Sequence, residues 1–292
     1  MLKNNNYAIL FTSYDERIGY GHYIRSLSLY KLLKKKKLKI FILVNIKLDS
    51  DLQIIFQKYL NPKFVIIDTP VINNKVLVNY KTISKFIVFD WFKKFIPDYN
   101  IAIYEHSKIE YAKKKFIGFD YVNIRPEIIN LPVKNKKKDN RFLIIIGGGD
   151  IKNQGLRIAK MMNKKGFDVS LMRGPLSKYS DLFLKNNNLR YYEGVKNFPK
   201  ILNSYNNIIT NGGTCLFEST YLNKNIYVLP QTNKERKIAQ YFYNKKLILG
   251  YGYMNISNFN FRKFNRVKKT NKLIDGKGLE RVASIISKIM NK

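Results

Sequence analysis

Cysteine is almost missing from this chain, with Cys215 alone among 292 residues. A single thiol excludes an internal disulfide framework and fits a reducing compartment. Histidine is nearly as scarce: His22 and His106 are the only two, so no zinc constellation is available and no Ser, His and acid set stands at a recognisable spacing. Long apolar runs are absent too. KFVIID, KFIVFD and RFLIIIGG are each cut by charge or glycine before the roughly 18 residues that a membrane span needs. The opening MLKNNNYAILFTS carries an apolar stretch too short for a signal peptide and no small-residue cleavage site, so a soluble, cytoplasmic protein is expected. Acidic side chains are few, 20 against 54 Lys plus Arg, which gives a formal net charge of +34.

Such an excess would serve an electrostatic partner: nucleic acid, an anionic membrane face or a phosphate-bearing substrate. The lysines run from Lys3 to Lys292 without one basic block, beside abundant Asn, Ile and Tyr. Nucleic-acid binders cluster their charge on one element, and no RNP, zinc-finger or helix-turn-helix pattern is present, so compositional drift explains the excess better. No specific nucleic-acid partner is expected. Weak association with an anionic membrane surface stays open, and the field favours an anionic ligand.

What is present points to folding, since 45% of residues are hydrophobic and 14% aromatic. Short apolar runs alternate with longer helical stretches, the pattern of parallel sheets covered by helices. The strands expected first are YAILF (7 to 11), LKIFILV (38 to 44), FVIID (64 to 68), FIVFD (86 to 90) and IAIY (101 to 104). A helix over 22 to 36 has Ile24, Leu27, Leu29, Leu32 and Leu33 on a broad apolar face. LPVKNKKKDN (131 to 140) reads as a linker. After it the alternation restarts with RFLIIIGGGD, then DVSLM (168 to 172), LRYY (189 to 192), NIIT (207 to 210) and IYVLP (226 to 230). KGLERVASIISKIM (277 to 290) reads as an amphipathic closing helix.

In open α/β sheets, ligands bind beyond the carboxyl ends of strands, where loop amides and helix N-termini favour anions. Four stretches have that placement. Gly19-Tyr20-Gly21-His22 precedes Arg25; its glycines admit a ligand close to the backbone, and a histidine in a first helical turn is pushed toward the neutral form that a general base needs. Spacing alone serves a catalytic base and a plain helix-start residue equally, though Asp15 stands where it could orient the ring's other nitrogen. Ile146-Gly147-Gly148-Gly149-Asp150, followed by Asn153, suits a phosphate cradle or a tight closure, but lacks the Gly-Lys-Ser/Thr of a Walker A loop. Thr210-Asn211-Gly212-Gly213-Thr214 precedes Glu218: glycine amides can meet a diphosphate, and a carboxylate there can accept both ribose hydroxyls; the alternative is a helix capped by Thr214 with a solvated glutamate. The fourth stretch, Pro230 to Arg236, clusters amide and charged side chains suited to sugar hydroxyls and a phosphate, or forms a polar loop. Cys215 reads as a small buried helix residue, and His106 as a surface or cap residue.

Taken in order, Gly19-Tyr20-Gly21-His22 with Arg25, Asp68, Arg125-Pro126-Glu127, Gly147-Gly148 with Asp150 and Asn153, and Gly213-Thr214 with Glu218 resemble the UDP-sugar hydrolases of pseudaminic acid biosynthesis, the PseG family. That family goes with spore-coat polysaccharide proteins and is similar to the MurG glycosyltransferases. The resemblance runs from about residue 7 to 250. It implies a GT-B architecture, two Rossmann-like doubly wound α/β domains facing each other across a cleft: residues 1 to 133 on the sugar side, 134 to 275 binding UDP, and 276 to 292 a terminal helix. It implies removal of UDP from a 2,4-diacetamido-2,4,6-trideoxyhexose by water attack at the anomeric carbon, with no metal and no cofactor. His22 would be the base, Gly212, Gly213 and Thr214 the diphosphate cradle, Glu218 the ribose ligand and Gln231 a sugar contact, with Gly19, Gly21, Arg25, Asp68, Gly147, Gly148, Asn153 and Asn233 lining the substrate. Departures fall on the sugar side: Thr69-Pro70 where a tyrosine is usual, Asp90-Trp91 for an Asp-Asp pair, and Asn233-Lys234 for an Asn-Gln pair. They keep a UDP-sugar glycosyltransferase on the same fold as the alternative.

Overall fold

The computed structural model describes residues 6–15, 19–45, 62–69, 84–90, 96–103, 112–132, 140–150, 153–177, 189–252 and 273–291. Two compact units divide the chain. The first gathers residues 1–14, 22–123 and 276–292, and the second residues 15–21 and 124–275.

The first unit is built on a six-stranded, wholly parallel sheet of β1 (Ala8–Thr12), β2 (Ile40–Val44), β3 (Phe64–Asp68), β4 (Lys85–Phe89), β5 (Tyr99–Ala102) and β6 (Lys114–Ile117), in the order β2-β1-β3-β4-β5-β6. Every residue of β1 and β3 is buried, which is why these strands read as continuous apolar runs rather than alternating ones. The edge strands differ: β2 is open at Phe41 and Val44, and β6 exposes Lys114 and Lys115. Two lysines on an edge discourage pairing with another chain, and they also hide this strand from a search for apolar runs. Helix α1 (Gly21–Lys35) buries Ser26, Leu29 and Leu33, a stripe at helical spacing, on the sheet. The expected apolar face was broader and did not include Ser26.

The closing helix, α7 (Gly278–Met290), belongs to this first unit. Leu279, Val282, Ala283, Ile286, Ile289 and Met290 join Ala8, Leu10, Leu33, Phe64 and Ile87 in one core. The last helix therefore completes the core that the first strand begins.

The second unit repeats the plan with β7 (Phe142–Ile145), β8 (Val169–Met172), β9 (Arg190–Tyr192), β10 (Asn207–Thr210), β11 (Asn225–Val228) and β12 (Gly250–Tyr251), all parallel, in the order β12-β11-β10-β7-β8-β9. Its helices are α2 (Pro126–Ile129), α3 (Gln154–Lys164), α4 (Phe198–Ser204), α5 (Thr214–Tyr221) and α6 (Asn233–Asn244). Leu156, Ile158, Ala159 and Met162 of α3 pack on Phe142, Ile144, Leu171 and Ile209. Strand β12, only two residues long, and β6 are the elements that the apolar pattern leaves out. His106 and most of the expected linker lie outside the described residues. Among the described residues no helix is long and apolar enough to cross a membrane.

Candidate functional site

In the first unit, α1 places His22, Arg25 and Ser26 at i, i+3 and i+4, one face of the helix, and that face meets Asp68 at the end of β3. Asp68 is 1% exposed, and a carboxylate that deep needs donors on its oxygens. It has four. His22 Nδ1 stands 2.7 Å from Oδ1, Ser26 Oγ donates to Oδ2 at 2.8 Å, Arg25 Nε donates to Oδ2 at 2.8 Å, and a second Arg25 nitrogen donates to Oδ1. Arg25 also reaches Asp90 Oδ2 at 3.1 Å and lies 5.2 Å over the Phe89 ring. Burial by itself would raise the Asp68 carboxyl, but the charge of Arg25 and then that of His22 overcome it and hold the group well below the usual carboxylate range. The Arg25 guanidinium, which burial disfavours, is in turn held charged by Asp68 and Asp90.

An ionised Asp68 oxygen accepts only, so the nitrogen facing it carries the proton and His22 is the Nδ1–H tautomer when neutral. Its lone pair is then on Nε2. The carboxylate at Nδ1 is that of Asp68, not Asp15; Asp15 belongs to the 15–21 segment, which clusters with the second unit, and its carbonyl accepts from Gly19 N at 2.8 Å.

Within the second unit, four loops at strand ends come together. A Cβ on Gly148 would stand 2.8 Å from the Tyr20 amide nitrogen, and one on Gly21 2.8 Å from Thr214 Oγ1, so residues 19–21, the triple-glycine loop and the start of α5 pack closely at glycine backbone. Gly147, at φ 54, lies against the Asn211 side chain. Asn153 precedes α3 in a left-handed conformation without capping the helix; Asp150 does that instead, accepting from Gln154 N at 2.9 Å and Leu156 N at 3.1 Å. Gln231 donates through Nε2 to Gln154 Oε1 at 2.9 Å. Asn233, exposed, opens α6.

Two of the expected diphosphate and ribose contacts are arranged otherwise. The Gly212 amide is taken by the Glu235 carboxylate, and in the first turn of α5 the Leu216 amide donates to the Gly213 carbonyl at 3.0 Å. Glu218 is neither solvated nor open to solvent: it is 0% exposed, and its two oxygens accept from Arg125 Nε at 2.5 Å and another Arg125 nitrogen at 3.2 Å. Arg125 is steadied 4.8 Å over the Phe198 ring. Burial nevertheless pushes the Glu218 carboxyl up, with Arg125 opposing it. Gly213, not Thr214, occupies the cap position of α5, and no side chain caps it.

Next to this pair Cys215 is half-buried rather than buried as expected, and desolvation and then the Glu218 carboxylate push its thiol up to about 12. The thiolate is the reactive form, so alkylation by iodoacetamide at pH 8 is expected to be slow in the native protein and fast after unfolding in urea, followed by mass.

Glu235 belongs to the fourth stretch, whose charged side chains the sequence offers without separate roles. Oε1 accepts from Asn211 Nδ2 at 2.6 Å and Oε2 from Gln231 N at 2.6 Å, while Thr232 Oγ1 accepts from Glu235 N at 3.2 Å. The signal was legible as Thr-x-x-Glu, a capping box at the start of α6. Among the described residues no group of three or more His, Cys, Asp or Glu side chains is placed to hold a metal ion.

Against known proteins, no protein-family model matches the chain. It is 27% identical over 139 residues, 47% of its length, to the UDP-2,4-diacetamido-2,4,6-trideoxy-beta-L-altropyranose hydrolase of Campylobacter jejuni, and the match spans about half of that relative, 51%. Among solved structures, MurG of Acinetobacter baumannii superposes with a TM-score of 0.62 at 9% identity, covering 97% of this chain and 99% of that one. MnaA of S. aureus, in a structure with UDP, gives 0.62 at 13% identity over 97% and 96%. These likenesses establish a GT-B fold of two parallel α/β sheets.

Proposed function

We propose that this chain is a nucleotide-sugar hydrolase that releases UDP from a UDP-2,4-diacetamido-2,4,6-trideoxyhexose by water attack at the anomeric carbon. The observation that carries the reading is the His22–Asp68–Arg25 arrangement: a buried carboxylate, kept ionised, fixes the tautomer that puts the basic lone pair of His22 on Nε2, where it can take a proton. Support comes also from the likeness to the Campylobacter hydrolase and from the fold shared with a UDP-containing structure.

In this reading the Gly213 and Thr214 amides, with the positive end of α5, stabilise the diphosphate as it leaves. Gly21, the residue before His22 in the chain, approaches Thr214. Gly19, Gly147, Gly148, Asn153, Gln231 and Asn233 complete the substrate contacts. Glu218 meets the ribose only if Arg125 shifts from its carboxylate.

A second reading has an observation of its own: the MurG likeness covers nearly the whole chain, and a transferase would use the same base on an acceptor hydroxyl. Incubation with the UDP-diacetamido-trideoxy sugar in heavy-oxygen water separates the two. Hydrolysis as proposed puts label on the free sugar and none on UDP. Label on the UDP phosphate, or no sugar release until an acceptor is added, overturns it.

A further inference from the structure

We propose that Glu235 is a positioning residue of the UDP site, a buried carboxylate that ties the loop after β10 to the loop after β11 and so fixes where the Gly213 and Thr214 amides stand. The inference rests on the reading of those amides as the diphosphate cradle.

A capping box asks only two bonds of its glutamate, and Thr232 supplies both: its hydroxyl accepts from Glu235 N, and its own amide donates to the Glu235 carboxylate. This carboxylate does more. Oε1 is met by Asn211 Nδ2 at 2.6 Å and Oε2 by Gln231 N at 2.6 Å, and the Gly212 amide donates as well. Asn211, Gly212 and Gln231 stand on two different strand ends, so one side chain joins the two segments that the reading places around the leaving group and the sugar. The approach is close: a Cβ on Gly212 would lie 2.7 Å from Glu235 Cβ and 2.7 Å from its carbonyl oxygen, so the loop lies flat on the first turn of α6 and only glycine fits. The next residue along that loop is Gly213. Acceptor-only oxygens also dictate how Asn211 sits, because the carboxylate takes its NH2 end and so decides which way its carbonyl oxygen turns.

The contact can be broken and remade. Glu235→Gln sets an amide NH2 against that of Asn211. Asn211→Asp sets two carboxylates together. The double variant Asn211→Asp with Glu235→Gln restores a donor and an acceptor in the same place, with the side-chain oxygen of the introduced glutamine left to accept from the Gln231 amide. With UDP as the probe in calorimetry, each single variant is expected to bind about tenfold more weakly, the value of one such bond, and the double variant to return to within about threefold of the wild type. In turnover the single variants raise KM while kcat changes little, since no reacting atom is touched. If the wild type binds UDP and Glu235→Gln binds it equally well, or if the double variant is as weak as the sum of the singles, the proposal fails. If the wild type does not bind UDP at all, the reading of the site falls and the inference with it.

Discussion

Asp68→Ala is expected to destabilise the protein by about 3–5 kcal/mol, the loss associated with removing one partner of a buried ion pair, because it strips Arg25, His22 and Ser26 of their common acceptor at once. Arg25 keeps Asp90 at 3.1 Å, so the guanidinium is not wholly orphaned, and the lower end of the range applies if Asp90 moves in. Urea denaturation of the variant beside the wild type reads the difference. A change below about 1 kcal/mol, the usual worth of an exposed pair, would mean that the network is not buried as described. Acid titration offers a second check with a definite sign. Asp68 is held below its unfolded value of 3.8, so its contribution is fully present above that pH and is lost as the pH falls from there toward the folded value. Asp150, Glu218 and Glu235 act in the other direction. Burial raises all three above their unfolded values of 3.8 and 4.5, so their ionisation costs stability that sets in as the pH rises from about those values through the folded ones. The second unit, which holds those three, should therefore gain stability on mild acidification, down to about pH 4.5, before the first unit begins to lose it below pH 3.8.

The strands and the main site loops were legible in the sequence for a physical reason. A parallel sheet covered on both faces demands uninterrupted apolar runs, and FVIID and NIIT coincide with β3 and β10. Glycines that admit close backbone approach announce themselves by type alone. Long-range partners do not. Asp68 stands 43 residues from Arg25, and nothing in local spacing says that the two meet. A trace of the answer was present all the same: a charged residue closing a wholly buried strand needs a cation, and His22, Arg25 and Ser26 prolong the buried stripe of Leu29 and Leu33 toward the helix start. The destination of α7 was illegible in the same way, since an amphipathic pattern shows that a helix has a face and not which sheet it covers. Glu218 and Glu235 show the opposite case. Their types suit a ribose ligand and a cap, yet burial beside Arg125 in one case and Asn211 in the other decides what each oxygen does.

His22→Ala is expected to lower kcat by about 10²–10⁴, the share of a general base, while leaving UDP binding unchanged, because the contacts proposed for UDP are made by Gly213, Thr214 and their neighbours. Asp68 and Arg25 remain paired in this variant through Nε and a second nitrogen, so the fold should hold and the loss should be kinetic. Asp68→Asn is the informative companion. It retains His22 but weakens the lock on Nδ1, and so should lose less of kcat than His22→Ala and lose it through orientation. The order of the two separates a base positioned by a carboxylate from a histidine that merely opens a helix. If the helix-start role is the true one, His22→Ala turns over at the wild-type rate and Asp68→Asn is the worse variant, through stability alone. If His22 is the base, the order reverses.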